Sequence, residues 1–243
     1  MSAPDLSVIV FALNEEDNIG PVLTELRQWL AEHEPSSEVV FVDDGSSDGT
    51  ASAAAAALAG MRHQILRHAT NCGIGAALKT GVRSARGLWV TFLPADGQIA
   101  PGAIGQLRRE ALQQGTEVVF SVYEDRDDGV HRKVLSAGVR SLIFLVHGVR
   151  MRSDGPYLFR RALFDPEQLA PDTFFLNFEF PIRVLGAGTP AGLVTIECRP
   201  RRSGQSKSIG LKRIWGVGRD LVDLRLRLIK EAVTARRRAP RRP

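Results

Sequence analysis

Residues 39–50 read Val-Val-Phe-Val-Asp-Asp-Gly-Ser-Ser-Asp-Gly-Thr. Four apolar residues run straight into two carboxylates, and a stretch of turn formers follows. A short apolar run without alternation reads as a strand covered on both faces, as in a parallel sheet. Open α/β sheets bind their ligands at the carboxyl ends of such strands. Asp43 and Asp44 then stand at that edge, where carboxylates suit the donor groups of a nucleotide, base N–H and ribose hydroxyls. The same Asp, Ser and Gly residues also make ordinary turns, so this stretch alone leaves both readings open.

Working outward, Leu6–Phe11 is a second short apolar strand, followed by Ala12-Leu13-Asn14-Glu15-Glu16-Asp17-Asn18-Ile19 and a Pro21 that opens an amphipathic helix. The pattern then alternates. Strands are expected near 6–11, 38–43, 63–67, 89–93 and 117–123, and helices near 18–33, 49–59, 75–86 and 102–114. That order predicts an α/β domain with a mainly parallel sheet flanked by helices. The alanine run at 53–57 is helix interior.

After residue 123 the pattern loosens. Glu124–Val130 is polar and acidic and reads as a loop; 133–150 is helical with a broad apolar face, and a short strand is expected at 193–198. Residues 211–235 place Leu211, Ile214, Trp215, Leu221, Val222, Leu228 or Ile229, and Val233 among Arg and Lys, the pattern of a basic amphipathic helix, with a break near Gly216–Gly218. The expected organisation is a catalytic domain over 1–210, a helical appendage over 211–235 and a disordered Arg-rich tail over 236–243.

Composition and motif spacing exclude several classes. With 243 residues and 44% apolar content, the chain suffices for one substantial core. Cys72 and Cys198 are far apart and the five histidines show no H-x-x-H or H-E-x-x-H spacing, so neither a disulfide framework nor a zinc site is expected and a reducing cytoplasm is the natural compartment. No G-x-S-x-G is present, which removes the nucleophile-elbow hydrolases. A dinucleotide fold needs G-x-G-x-x-G after its first strand; here ALNEEDNI has no glycine until Gly20, and Gly73-Ile74-Gly75 falls after the third strand. No signal peptide is expected, and the longest apolar run, Leu142–Val146, stops at His147, far short of a membrane span.

The charge is uneven. Arg236, Arg237, Arg238, Arg241 and Arg242 match the whole net charge of +5, which leaves the body about neutral. A second basic cluster runs from Arg199 to Arg219 without an acid, and such clusters attract phosphates. The arginine tail by itself does not argue for specific nucleic-acid binding.

VIVFALNEEDNI and VVFVDDGSSDGT together resemble the nucleotide-binding half of glycosyltransferase family 2, inverting sugar transferases with the GT-A fold. The resemblance continues through NCGIGAALKTGVRSARG, LPADGQIAP, Ser153–Arg161, NFEFPIRVLGAG and RRSGQSK, over roughly 5–210. The DGQ and the RxxGxSK element are most similar to the polyprenyl-phosphate branch, the relatives of dolichol-phosphate mannose synthase. The resemblance implies a nucleotide-sugar site from Ala12, Asn14, Glu15, Asp43, Asp44, Gly73, Lys79 and Asp96. It also implies Mg2+ or Mn2+ at the end of the fourth strand. Family members carry Asp-x-Asp there, whereas this chain has Pro94-Ala95-Asp96 and leaves Asp96 and Gln98 as the ligands. A hard cation often uses one or two carboxylates, with phosphate and water completing its shell. Asp154 and Glu179 fall in segments near the acceptor, and Arg202 and Lys207 lie in the loop that closes on phosphate, where Arg gives bidentate contacts and Lys a point charge.

The expected activity is transfer of a sugar from a UDP- or GDP-sugar to polyprenyl phosphate, at the cytoplasmic face of an anionic membrane. A soluble hydroxyl acceptor is the alternative for the same chemistry. A catalytically dead sugar-nucleotide binder, suggested by Pro94, is another. The apolar stripe of 211–235 also suits docking on the catalytic domain or a homodimer contact.

Overall fold

The computed structural model describes residues 3–124, 129–170, 172–200 and 211–238. Two compact units divide the chain: 1–127 with 152–205, and 128–151 with 206–243.

The first unit is built on a seven-stranded sheet. Its elements are β1 (Leu6–Ala12), α1 (Glu16–His33), β2 (Ser37–Asp43), α2 (Thr50–Leu58), β3 (His63–Arg67), α3 (Ile74–Ser84), β4 (Trp89–Pro94), α4 (Gly102–Gln114) and β5 (Val118–Tyr123). After α5 (Gly129–His147), which belongs to the second unit, come β6 (Leu158–Arg160), α6 (Leu176–Gly186) and β7 (Ala191–Ile196). The strand order is β3-β2-β1-β4-β6-β5-β7. Every pairing is parallel except those of β6, which runs antiparallel to both β4 and β5. The chain walks outward from β1 to β3 and then crosses back to place β4 on the other side of β1. Such a reversal of strand order opens a crevice at the carboxyl ends, here between β1 and β4.

Alternation within each strand builds two cores. Val8, Val10, Val39 and Phe41 join Ile19, Leu23, Leu26 and Leu30 of α1, Ala54 and Leu58 of α2, and Ile104 and Leu107 of α4. Ile9, Val40, Val42, Val90 and Phe92 face the other way, onto Ala77, Leu78 and Val82 of α3 and Leu176, Phe180 and Val184 of α6. With both faces covered, β1 and β2 lose the alternating polar positions of a half-exposed strand. An aromatic nest anchors β6 in the second core: Tyr157 lies edge-on to Phe92 at 4.8 Å and stacks on Phe180 at 5.3 Å. Burial pushes the Tyr157 phenol far above its ordinary pKa, so it stays protonated and donates to Asn177 Oδ1 at 3.4 Å.

The amino-terminal edge of the sheet holds a buried polar knot. Glu38 Oε1 accepts from the Ser7 hydroxyl and the Arg86 N–H, each at 2.6 Å, and the Ser7 Oγ accepts from Gly87 N–H at 2.8 Å. These bonds satisfy the carboxylate away from the ligand edge and join β1, β2 and the start of β4.

The second unit pairs α5 with α7 (Leu211–Arg238). The break expected near Gly216–Gly218 is absent, and the helix continues through Arg236–Arg238. Leu221 and Leu224 are buried, as is Ile143 of α5. Val222, Leu226, Ile229 and Val233 instead form an exposed apolar stripe at helical spacing. The single stripe read from sequence therefore resolves into two faces.

Candidate active site

The loops after β1 and β2 are zipped together. Ala12 is in register with Asp43, and the Asp44 N–H donates to the Ala12 carbonyl at 2.9 Å. Asn14 is the one non-glycine residue with positive φ among the described residues, at 53°, a region that Asn tolerates. That turn lets Asn14 N–H donate to Ser46 Oγ at 2.9 Å while Asn14 Oδ1 accepts from Ser47 N–H at 2.9 Å. Glu15 N–H donates to Thr50 Oγ1 at 2.9 Å, and Gly49 N–H donates to Glu16 at 3.0 Å. These side chains meet the orphan donors of α1 and α2. Helix α1 consequently starts at Glu16, and Pro21 lies inside it rather than at its opening.

Asp43 is fully buried at the end of β2. Its Oδ1 accepts from Ser46 N–H at 2.9 Å. Arg67 Nε is 3.1 Å from Oδ2 but is not aimed along a hydrogen bond, so that oxygen receives charge without a directed donor. Asp44 is held more completely. Its Oδ1 accepts from Cys72 N–H at 2.9 Å, its Oδ2 from Gly73 N–H at 2.9 Å, and His68 Nδ1 is 2.7 Å from Oδ1. Gly45, at φ +82°, is obligatory: a Cβ there would come within 2.5 Å of the Thr70 carbonyl carbon.

Asn71–Gly75 packs against residues 172–173. A Cβ on Gly75 would meet Thr173 O at 2.5 Å, and Ala76 N–H donates to Asp172 O at 3.1 Å. Lys79 Nζ donates to Asp172 Oδ1 at 2.9 Å and to Ala170 O at 3.1 Å. The glycines thus allow a close approach of two loops, and Lys79 contacts Ala170 and Asp172.

Asp96 follows β4 at the same edge. Its Oδ1 accepts from Gln98 N–H at 3.1 Å, a turn that Gly97 completes at φ +70°. The chain beyond β7 docks there: Arg199 N–H donates to Gln98 O at 2.8 Å, and Gln98 Nε2 donates to Arg199 O at 3.4 Å. Arg199 also pairs with Glu25 at 2.7 Å. Arg202 and Lys207 lie outside the described residues, but the segment leading to them is anchored on the Asp96 turn.

Because β6 is antiparallel, the chain enters it from the carboxyl side of the sheet, although β6 itself pairs with the first residues of β4 and β5. Asp154, four residues before Leu158, is exposed, and its N–H donates to Ser121 O of β5 at 2.9 Å. The Tyr157–Asn177 bond brings the first turn of α6 to the start of β6. Glu179 in that turn is fully buried and pairs with Arg183 at 2.9 Å. It lies inside α6. Of the two acids, Asp154 is the one in reach of solvent.

Sequence reasoning passed over Ser46, Asp48, Arg67, His68 and Asp172, which position the site. Only Asp48 carried a local signal, as the acid before a helix start; the others act across loops distant in sequence.

A family model for Glycosyl transferase family 2 matches residues 7–180. The chain is similar to a dolichol-phosphate mannosyltransferase of Mycosarcoma maydis, 32% identical over 151 residues, 58% of this chain and 51% of the relative. It is similar to a dodecaprenyl-phosphate galacturonate synthase of Rhizobium johnstonii, 26% identical over 227 residues, 90% of this chain and 66% of the relative. The chain thus spans half to two thirds of these relatives' lengths. Among solved structures, glucosyl-3-phosphoglycerate synthase from Mycobacterium tuberculosis with Mn2+, UDP-glucose and phosphoglyceric acid aligns with a TM-score of 0.68. At 22% identity, over 91% of this chain and 78% of that one, the likeness is one of fold.

Proposed function

The chain belongs to glycosyl transferase family 2, and we propose that it moves a sugar, with inversion, from a nucleoside diphosphate sugar to polyprenyl phosphate. The observation that carries this reading is the convergence of Ala12, Asp43–Asp44 and Asp96 at the carboxyl ends of β1, β2 and β4, beside the reversal in strand order. The curated relatives named as polyprenyl-phosphate sugar transferases support the acceptor class.

Asp43, buried and with one oxygen lacking a directed donor, is suited to the base and ribose of the nucleotide. Asp44 fixes the 72–73 turn that borders them. The donor set at the end of β4 is an acid and an amide, hard oxygens that fit Mg2+ or Mn2+ once a diphosphate supplies further ligands. Asp96 and Gln98 would hold the ion, which supplies charge neutralisation of the leaving diphosphate. Arg202 and Lys207 would bring positive charge to the departing or incoming phosphate. A phosphate monoester is already anionic and attacks without a base, whereas a hydroxyl acceptor requires one. Asp154, which is exposed, would be that base in the soluble-acceptor reading, while Glu179, buried and paired with Arg183, would hold α6 in place. The solved neighbour that carries phosphoglyceric acid favours keeping this second reading.

The exposed stripe of α7, with Arg225, Arg227 and Lys230 beside it, supports peripheral contact with an anionic bilayer. No helix among the described residues is long and apolar enough to cross a membrane.

The experiment is a donor screen, UDP- and GDP-sugars with a short-chain polyprenyl phosphate or with phosphoglycerate, read by product mass and anomeric configuration. An inverted polyprenyl-phosphate sugar is the expected product. Product only from the soluble acceptor transfers the assignment to the second reading, and no turnover with any donor would leave a binder without catalysis.

A further inference from the structure

We propose that Asp44, His68 and Cys72 form a binding site for a borderline-soft divalent ion, Zn2+ foremost, distinct from the oxygen-donor turn at Asp96. The carboxylate oxygen, imidazole nitrogen and thiol sulfur of these residues all lie within 4.8 Å of one another. Histidine and cysteine spacing gives no such expectation, because Asp44 belongs to the loop after β2 while His68 and Cys72 follow β3. The fold supplies the third ligand.

The chemistry of the set selects the metal. One sulfur, one nitrogen and one oxygen are the donors that zinc accepts, and three protein ligands leave a fourth position for water. A thiolate favours Zn2+ over the hard Mg2+.

The surroundings hold the ligands in place. His68 Nε2 is 2.9 Å from Thr80 Oγ1. With the proton on Nε2 and donated to that hydroxyl, the Nδ1 lone pair is left for the ion, which takes the place of the proton that the 2.7 Å contact with Asp44 Oδ1 requires on Nδ1 in the metal-free chain. Such outer bonds fix the tautomer of metal-binding histidines. The Asp44 carboxylate is oriented by Cys72 and Gly73 N–H groups, so the backbone that carries the thiol also aims the acid. Cys72 is exposed, and its thiol donates to Thr70 O at 3.3 Å, a contact that ligation would replace. Donors around tetrahedral zinc stand about 3.3–3.8 Å apart, given bonds of about 2.0–2.3 Å. Ligation would require a rotation of the Cys72 side chain and a small opening of the 2.7 Å Asp44–His68 contact. On binding, the thiol proton leaves to solvent and the imidazole proton moves by solvent exchange from Nδ1 to Nε2, where Thr80 Oγ1 accepts it.

The test needs no sugar donor, so it stands apart from the transferase reading. The reduced, chelator-washed full chain is titrated with Co2+ and then with Zn2+. One equivalent of Co2+ should give a near-ultraviolet thiolate-to-metal absorption that Zn2+ abolishes and excess Mg2+ does not. The absorption should vanish in Cys72→Ser and persist in Cys198→Ser. His68→Ala should weaken Zn2+ binding by at least about tenfold, and Thr80→Val, which removes only the outer bond, by about tenfold. Cys72 is exposed, so its serine variant keeps the test open even where His68→Ala does not fold. Absence of the band in the unmodified chain, its survival in Cys72→Ser or its displacement by Mg2+ would overturn the proposal.

Discussion

Lys79 Nζ stands 2.9 Å from Asp172 Oδ1, joining α3 to a segment 93 residues away, while the lysine is only 6% exposed. The ammonium is buried and the carboxylate is not, since the Asp172 side chain is 63% exposed. Solvent therefore screens part of the attraction, and the larger consequence of removing Asp172 is a buried cation with one partner fewer.

Asp172→Ala should lower stability by about 1–2 kcal/mol. That corresponds to about 2–4 °C in Tm for each kcal/mol in a chain of this size. Lys79→Met should lower Tm less, because the thioether fills the stem's place without a charge, and should leave the donor KM unchanged. A KM raised tenfold with Tm untouched would instead return Lys79 to the donor phosphates. Calorimetry and donor kinetics on the two variants separate the roles.

Asp96→Asn should abolish metal-dependent turnover with little change in Tm, because the amide oxygen still accepts from Gln98 N–H but no longer carries charge. Chelation should mimic it in the unmodified protein. Pro94→Asp should tighten Mn2+ in the presence of nucleoside diphosphate by adding a hard oxygen. Pro94 is the last residue of β4, paired with Phe11, so the exchange falls at a strand end and not within the ladder. Unchanged Mn2+ affinity in a titration would mean that position 94 does not face the ion.

The legible part of the fold was the part with local periodicity. Strands β1 to β5 and helices α1 to α4 begin and end within about two residues of their expected bounds, because buried strands and amphipathic helices write their periods into adjacent residues. Three residues of β6 write no period, and its pairing with Trp89–Val90 and Val118–Val119 is entirely non-local. Helix α6 carries Pro181 within it, a residue that argues against helix. In the site, the acids at strand ends were legible because they interrupt apolar runs. The pairing of His68 with Asp44, and of Lys79 with Asp172, was not, since nothing local to a histidine or lysine names a partner from another loop.

His147 donates from Nε2 to Leu221 O at 3.0 Å, and its buried Nδ1 has no hydrogen-bond partner among the described residues. Protonation would put an unpaired N–H and a charge there. Burial, and secondarily the positive charge of Arg225, lower its pKa below the usual 6.5, against the opposing pull of the Leu221 carbonyl. The folded state therefore binds protons less readily than the unfolded one. Stability from this residue is complete above pH 6.5 and is lost as pH falls from there through the lowered folded value. Tm should drop more steeply below about pH 6.5 in the unmodified chain than in His147→Gln. Parallel pH profiles would show that His147 does not titrate against folding.

The stripe of Val222, Leu226, Ile229 and Val233 leads to the remaining expectation. These four residues sit at steps of three and four along α7 and are about half exposed, Leu226 at 54% and Ile229 at 47%. An apolar face of that kind can enter the headgroup boundary of a bilayer, and each nearby Lys or Arg adds about 1 kcal/mol of attraction to an anionic surface. Leu226→Asp combined with Ile229→Asp removes apolar contact and adds repulsion, yet touches neither Leu221 nor Leu224, the buried pair. The double variant should keep its Tm and its activity on a short-chain, water-soluble polyprenyl phosphate, while losing flotation with anionic vesicles. Flotation of the unmodified chain should weaken as salt is raised, because screening shortens the reach of the basic residues. If the unmodified chain does not float even at low salt, membrane contact through α7 is ruled out and a soluble acceptor becomes the better assignment. If both proteins float equally, the membrane contact lies elsewhere on the chain. Changed oligomeric state in the double variant, read by light scattering, would identify the stripe as a contact between copies.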